Sequence, residues 1–261
     1  MRGLLLVAHG SRDPRSGAAI HHLAGRIAAQ LPDVVVRAAF LELTHPSIAE
    51  ALAELAEQVE AIVVMPLVLT SGFHETTDLP DQIARAQADG GLPPVDLVDG
   101  FATDPLVGAA LRDQLHAAGV TGPGWGIVLA AAGSSRAQAR EQVFARCDEV
   151  AGRVEVGFLS GPGPSVSDAI GALRSGSPQV GGSDSDPATK IAIATYLMAP
   201  GHFTDQLDQV DADARTRPLA ESDRFVEAIL SRFATYADAM PQRRSQAERS
   251  GSATAPRRPR P

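Results

Sequence analysis

Val36-Arg-Ala-Ala-Phe-Leu41, followed by Pro46-Ser-Ile-Ala-Glu-Ala-Leu52, returns in the second half of the chain as Val154-Glu-Val-Gly-Phe-Leu159 and Pro164-Ser-Val-Ser-Asp-Ala-Ile170. In both copies the Phe-Leu and Pro-Ser pairs stand at identical spacing. Each copy runs from an apolar stretch with strand character into a Pro-Ser helix entry. Self-similarity of this kind points to duplication of a supersecondary unit.

Outward from the first copy, strands and helices alternate. Leu4 to Val7 is a short apolar strand ending at Gly10, and Ser16 to Gln30 has helical spacing with Ile20, Leu23, Ile27 and Leu31 on one face. After the strand over 34–41 and the helix that starts at Ser47, Ala61 to Leu69 is a fully apolar strand. A helix from Asp81, a strand over Val95 to Val98 and a helix over Pro105 to Ala118 complete the half. In the second half, Gly126 to Ala131 is a strand ending in Gly133-Ser134-Ser135, with a helix from about Arg136 to Val150. Ile191 to Met198 followed by Gly201 echoes Ile62 to Leu69 followed by Gly72. Such alternation implies right-handed βαβ units and parallel sheets. The expected fold is α/β: two similar lobes, each a parallel sheet flanked by helices, with a cleft between them. The lobes are drawn at 1–121 and 122–240. Ser175 to Pro187, rich in Gly, Ser and Asp, reads as a loop, and 241–261, with almost nothing apolar, as a disordered tail.

Composition agrees and excludes. The chain has 261 residues, 44% of them hydrophobic but only 4% aromatic, so its cores must be packed with Ala, Val, Leu and Ile, as buried parallel strands are. No apolar run reaches the ~20 residues needed to cross a membrane, and Leu4 to Ala8 is too short for a secretory segment, so a cytoplasmic location with no membrane partner is expected. A single cysteine, Cys147, excludes an internal disulfide and an iron–sulfur cluster ligated within one chain, and reads as a small buried hydrophobe. A net charge of -8 argues against nucleic acid, and it leaves any anionic ligand to be met by local donors.

Ligands of parallel sheets bind beyond the carboxyl ends of the strands. Three chemistry-bearing residues fall there in the first lobe: His9, Glu42 and His74, each after a different strand. Their counterparts in the second lobe are Ala132, Ser160 and Phe203. The apolar framework is thus kept while the polar groups are not, which favours function over scaffold. Two imidazoles and a carboxylate suit a borderline divalent ion, and so few ligands leave positions open for a transient occupant. Ser11, Arg12, Thr70 and Ser71 can donate hydrogen bonds around it, with exposed amides near Gly10 and Gly72. His45 and His202 are further candidates for the cleft. His21, His22 and His116 lie in helices.

At these residues the sequence resembles the sirohydrochlorin chelatases of the CbiX/SirB type, the ATP-independent class II tetrapyrrole chelatases. The resemblance rests on Leu5-Leu-Val-Ala-His-Gly-Ser-Arg12, on Phe40-Leu-Glu-Leu43 with Pro46, and on Val64-Met-Pro-Leu-Val-Leu69 with Gly72, His74 and Asp78-Leu-Pro80. The second lobe is a degenerate copy. The resemblance implies insertion of Fe²⁺ or Co²⁺ into sirohydrochlorin, toward sirohaem or a cobalamin precursor, with the metal as substrate and no fixed cofactor. It further implies that His9 and His74 bind the metal and His9 accepts a pyrrole proton, while Glu42 and the 70–73 stretch (Thr70, Ser71, Gly72, Phe73) lie against the macrocycle. Two other readings use the same residues. A non-enzymatic metal or tetrapyrrole carrier would need the same ligands. A histidine phosphatase also opens on a strand ending in His-Gly, but it places an arginine before the histidine, where this chain has Ala8.

Overall fold

A computed structural model describes residues 1–70, 77–150, 152–177 and 186–251, with side chains to Ala237. His74, Ser71, Gly72 and Phe73 therefore lie outside the described residues, as does most of the loop expected over 175–187. The first lobe contains β1 (Arg2–Ala8), α1 (Pro14–Ala28), β2 (Val34–Phe40), α2 (Ile48–Ala56), β3 (Ala61–Pro66), α3 (Leu79–Ala88), β4 (Val95–Leu97) and α4 (Pro105–Ala117). The second contains β5 (Trp125–Ala131), α5 (Ala137–Arg146), β6 (Arg153–Phe158), α6 (Val166–Ser175), β7 (Lys190–Tyr196), α7 (His202–Asp208), β8 (Ala214–Arg215) and α8 (Asp223–Gly251).

The two sheets have the same parallel order, β2-β1-β3-β4 and β6-β5-β7-β8. β1 and β5 sit at the centres, and their inner residues are buried on both faces, so each reads as a continuous apolar run. Alternation still sorts the side chains. Leu4, Leu6 and Ala8 join the same core as Ile127, Leu129 and Ala131, whereas Leu5 and Val7 face a separate core under α2 and α3. Local signals recur in both copies: Ser47 with Glu50, and Ser165 with Asp168, form reciprocal capping boxes on α2 and α6.

The lobes exchange their last helices. α4 packs on β7 and α8, and α8 packs on α1 and α4. The boundary drawn after residue 121 thus separates α4 from the sheet it covers, because the sequence marks where a helix ends but not which apolar face it meets. α8 also continues to Gly251, past the 240/241 boundary where a structureless tail was expected. Extending an anchored helix adds one hydrogen bond per residue fixed, without the cost of a new nucleus. Cys147 follows α5 half-buried, and burial pushes its thiol up to about 12, which leaves it inert as a nucleophile.

Two arginines of the second lobe clasp the loop that leads into α4. Arg146, 1% exposed, donates to the carbonyls of Asp104 (2.9 Å), Phe101 (3.3 Å) and Ala102, and pairs with Glu149 at 2.6 Å. Arg232 bonds Asp104 Oδ2 at 2.7 Å and lies over the Phe101 ring. Truncating Arg146 strands buried carbonyls and leaves a cavity. Arg146→Ala is expected to cost about 3–5 kcal/mol, read as a lower urea midpoint; a midpoint unchanged from wild type would show that the clasp does not hold the lobes together.

Candidate metal and macrocycle site

β1 lies between β2 and β3, paired in register with both, so the exits of these three strands open at one edge. The exits of β1 and β2 are tied together: the Leu41 amide donates to the Ala8 carbonyl (3.0 Å) and the Glu42 amide to the His9 carbonyl (3.1 Å). Thr44 Oγ1 accepts from the Ser11 amide (3.0 Å) and donates to the Ser11 carbonyl (2.8 Å). Leu43, at φ 63, turns the chain between these contacts.

Gly10 makes the approach possible. Its φ is 97, and a Cβ there would stand 1.8 Å from the Glu42 carbonyl oxygen. Gly133 repeats the geometry in the second lobe, with φ 98 and a Cβ that would stand 1.9 Å from the Ser160 carbonyl oxygen. This pairing sets the register of the lobes, placing Ala132 at His9 and Ser160 at Glu42 as the sequence alignment had them. In the first lobe the crossing brings His9 Nε2 to 3.5 Å from Glu42 Oε1, with both side chains about half exposed. In the second, Ser160 Oγ donates to the Ala132 carbonyl at 2.7 Å and the pair closes on itself.

His9 opens onto a cleft of about 520 Å³ between the lobes, a size suited to a small-molecule or cofactor-like ligand. Leu69 and Thr70 line it from the first lobe; Ser134, Arg136, Arg140, Ser160, Met198 and Phe203 line it from the second. Glu42, Ser11 and Arg12 do not line it. Glu42 reaches the site through His9, the Ser11 hydroxyl accepts from the Asp13 amide at 3.0 Å, and Arg12 is exposed. Buried Tyr196 donates from β7 to the Leu69 carbonyl (2.7 Å) and so fixes the strand exit beside Thr70. Across the rim, Arg15 bonds Asp13 and reaches Asp205 on α7 at 2.7 and 2.9 Å, which holds both carboxyls below the usual carboxylate range.

The other histidines are engaged elsewhere. His45 Nδ1 lies 3.0 Å from Glu50 Oε2, and the Ser47 amide and then His45 pull the Glu50 carboxyl down to about 2. His202 Nε2 lies 2.8 Å from Gln206 Nε2, although its neighbour Phe203 lines the cleft. Among the described residues no group of three His, Cys, Asp or Glu gathers to hold a metal; His9 and Glu42 are two. Arg136 and Arg140 were missed in the sequence. The repeat pointed to them, since Gly133-Ser-Ser-Arg136 is the twin of Gly10-Ser-Arg-Asp13, but it was read only for what the second lobe lacks.

The CbiX family model matches residues 3–118. The sirohydrochlorin cobaltochelatase of Methanosarcina acetivorans is 36% identical over 95 residues, 36% of this chain and 73% of that protein. The chain belongs to the CbiX family. The cobaltochelatase of Methanococcoides burtonii is 40% identical over 80 residues, so the matched stretch spans only 61% of its length and 30% of this chain. Likeness of fold reaches further than likeness of sequence. SirB from Bacillus subtilis, solved with Fe³⁺, superposes with a TM-score of 0.76 at 20% identity over 92% of this chain and 97% of that one. CbiX of denitrifying bacteria, described as the terminal enzyme of sirohaem biosynthesis, does so at 0.59 and 22% over 88% and 98%. Both lobes, degenerate copy included, thus have the fold of CbiX-type chelatases. Among the described residues no helix is long and apolar enough to cross a membrane.

The twin glycines separate scaffold from site. Gly10→Ala and Gly133→Ala should each cost ~1–3 kcal/mol or more, because both force a Cβ into a carbonyl at positive φ. Only Gly10→Ala should also weaken Co²⁺ binding measured by calorimetry, since only there does the crossing position an imidazole and a carboxylate. Equal loss of Co²⁺ binding in both variants would place the metal elsewhere.

Proposed function

We propose that this CbiX-family protein is a sirohydrochlorin chelatase that inserts Co²⁺ or Fe²⁺ into the metal-free ring. The observation that carries the reading is the His9–Glu42 pair, 3.5 Å apart, with His9 opening onto a cleft of about 520 Å³ between the lobes. Family membership and the names of the relatives support the substrate class. Those relatives are called cobaltochelatases, which favours Co²⁺ as one metal substrate.

Insertion exchanges two pyrrole N–H protons for one divalent ion, so charge balances when both protons leave, one to a protein base and the other to solvent. A neutral imidazole near the ring centre can accept a proton through a nitrogen lone pair, and the reading assigns this role to His9. Glu42 beside it offers an anionic oxygen that can stabilise the imidazolium formed or help hold the incoming cation. His74 is the further metal ligand expected from the sequence. Tyr196 holds the chain at Leu69, on the way to that residue. A metal or tetrapyrrole carrier would use the same groups but would retain the ring unmetallated.

Anaerobic absorbance spectroscopy of sirohydrochlorin with Co²⁺ or Fe²⁺ tests this directly. Wild type should accelerate metallation, and His9→Ala should lower the rate by ~10²–10⁴ with the fold intact, as loss of a general base does. His74→Ala and Glu42→Gln should each reduce it as well. A folded His9→Ala with the wild-type rate would remove His9 from the chemistry. A tight ring complex that wild type never metallates would make the protein a carrier.

A further inference from the structure

The two walls of the cleft carry opposite chemistry. The first lobe brings His9, with Glu42 beside it, and the second brings Arg136 and Arg140. Duplication supplies an internal control for both arginines. By the register that Gly10 and Gly133 set, Arg136 is the twin of Asp13 and Arg140 the twin of Gly17.

Asp13 behaves as a helix cap should. Its carboxylate accepts from the Arg15 amide at 2.9 Å at the start of α1. Arg136 stands at the same position of α5 with nearly the same backbone, φ -79 and ψ 127 against φ -80 and ψ 118, yet its side chain makes no cap hydrogen bond. Arginine has no acceptor to offer an amide, and its charge opposes the positive end of the helix dipole. As a cap for α5 the residue is a poor choice, and it stands on the cleft wall. Arg140 supports the same loop. It donates to the carbonyls of Ser134 (2.8 Å) and Ser135 (3.0 Å), engaging two oxygens that would otherwise repel an anion. A protein of net charge -8 has no global field to attract an anion, so such a ligand depends on local cations of this kind.

We propose that Arg136, backed by Arg140, binds a peripheral carboxylate of the tetrapyrrole, so that the degenerate lobe holds the ring by its rim while the first lobe performs insertion at its centre. This rests on the chelatase reading, whose substrate is a ring bearing acetate and propionate side chains. A planar guanidinium suits a carboxylate and fixes the in-plane rotation of the ring. Loss of the metal-site residues from the second lobe and gain of these cations are then two sides of one division of labour.

The test measures binding of metal-free sirohydrochlorin by its own fluorescence, and Co²⁺ insertion kinetics, in the full chain. Arg136→Glu should raise Kd and KM about tenfold or more while kcat stays within about twofold, and Arg136→Gln should act the same way more mildly. Arg136→Lys should recover part of the affinity. The fully esterified ring should bind wild type and Arg136→Gln equally. Wild-type Kd and KM in a folded Arg136→Glu, with insertion proceeding, would overturn the carboxylate contact and leave the chelatase standing. A fall in kcat with KM unchanged would assign Arg136 to the chemistry and overturn the inference too. Wild type that neither binds nor metallates the ring would overturn the chelatase reading itself.

Discussion

Parallel pairing of β1 with both β2 and β3 puts three strand exits side by side, and the passage of Gly10 beneath the Glu42 carbonyl draws two of them into contact. Everything at the candidate site depends on that crossing. A residue with a Cβ cannot occupy position 10 in this conformation, so the exit loops would separate and His9 would lose Glu42. The same crossing at Gly133 has no such pair to position; it shapes the loop that leads to Arg136 at the start of α5.

The two lobes share a core through exchanged helices, with the cleft between them. α4 leaves the first sheet to pack on β7, α8 returns to pack on α1, and Arg146 and Arg232 donate to carbonyls of the connecting loop. Tyr196 adds a hydrogen bond between the lobes at the strand exit itself. The degenerate second lobe therefore contributes one wall of the cleft onto which His9 opens from the first. Here the arginines make the second wall chemically distinct as well.

Much of this was legible in the chain. The Phe-Leu and Pro-Ser repeat, the periodicities of the helices and the apolar strands determined the duplicated α/β architecture, because each is a local pattern with a short-range cause: alternation, capping, chain reversal. The placement of His9 and Glu42 at strand ends was equally local, and the sequence comparison of the lobes already paired them with Ala132 and Ser160. Sequence could not reveal which sheet each terminal helix would cover, since an apolar helix face specifies that it must be buried but not against what. Nor could it reveal that His45 turns to Glu50, that Arg12 stays exposed, or that Arg136 reaches the cleft. Those outcomes depend on long-range packing between lobes, where a side chain's partner is set by three-dimensional proximity and not by spacing along the chain.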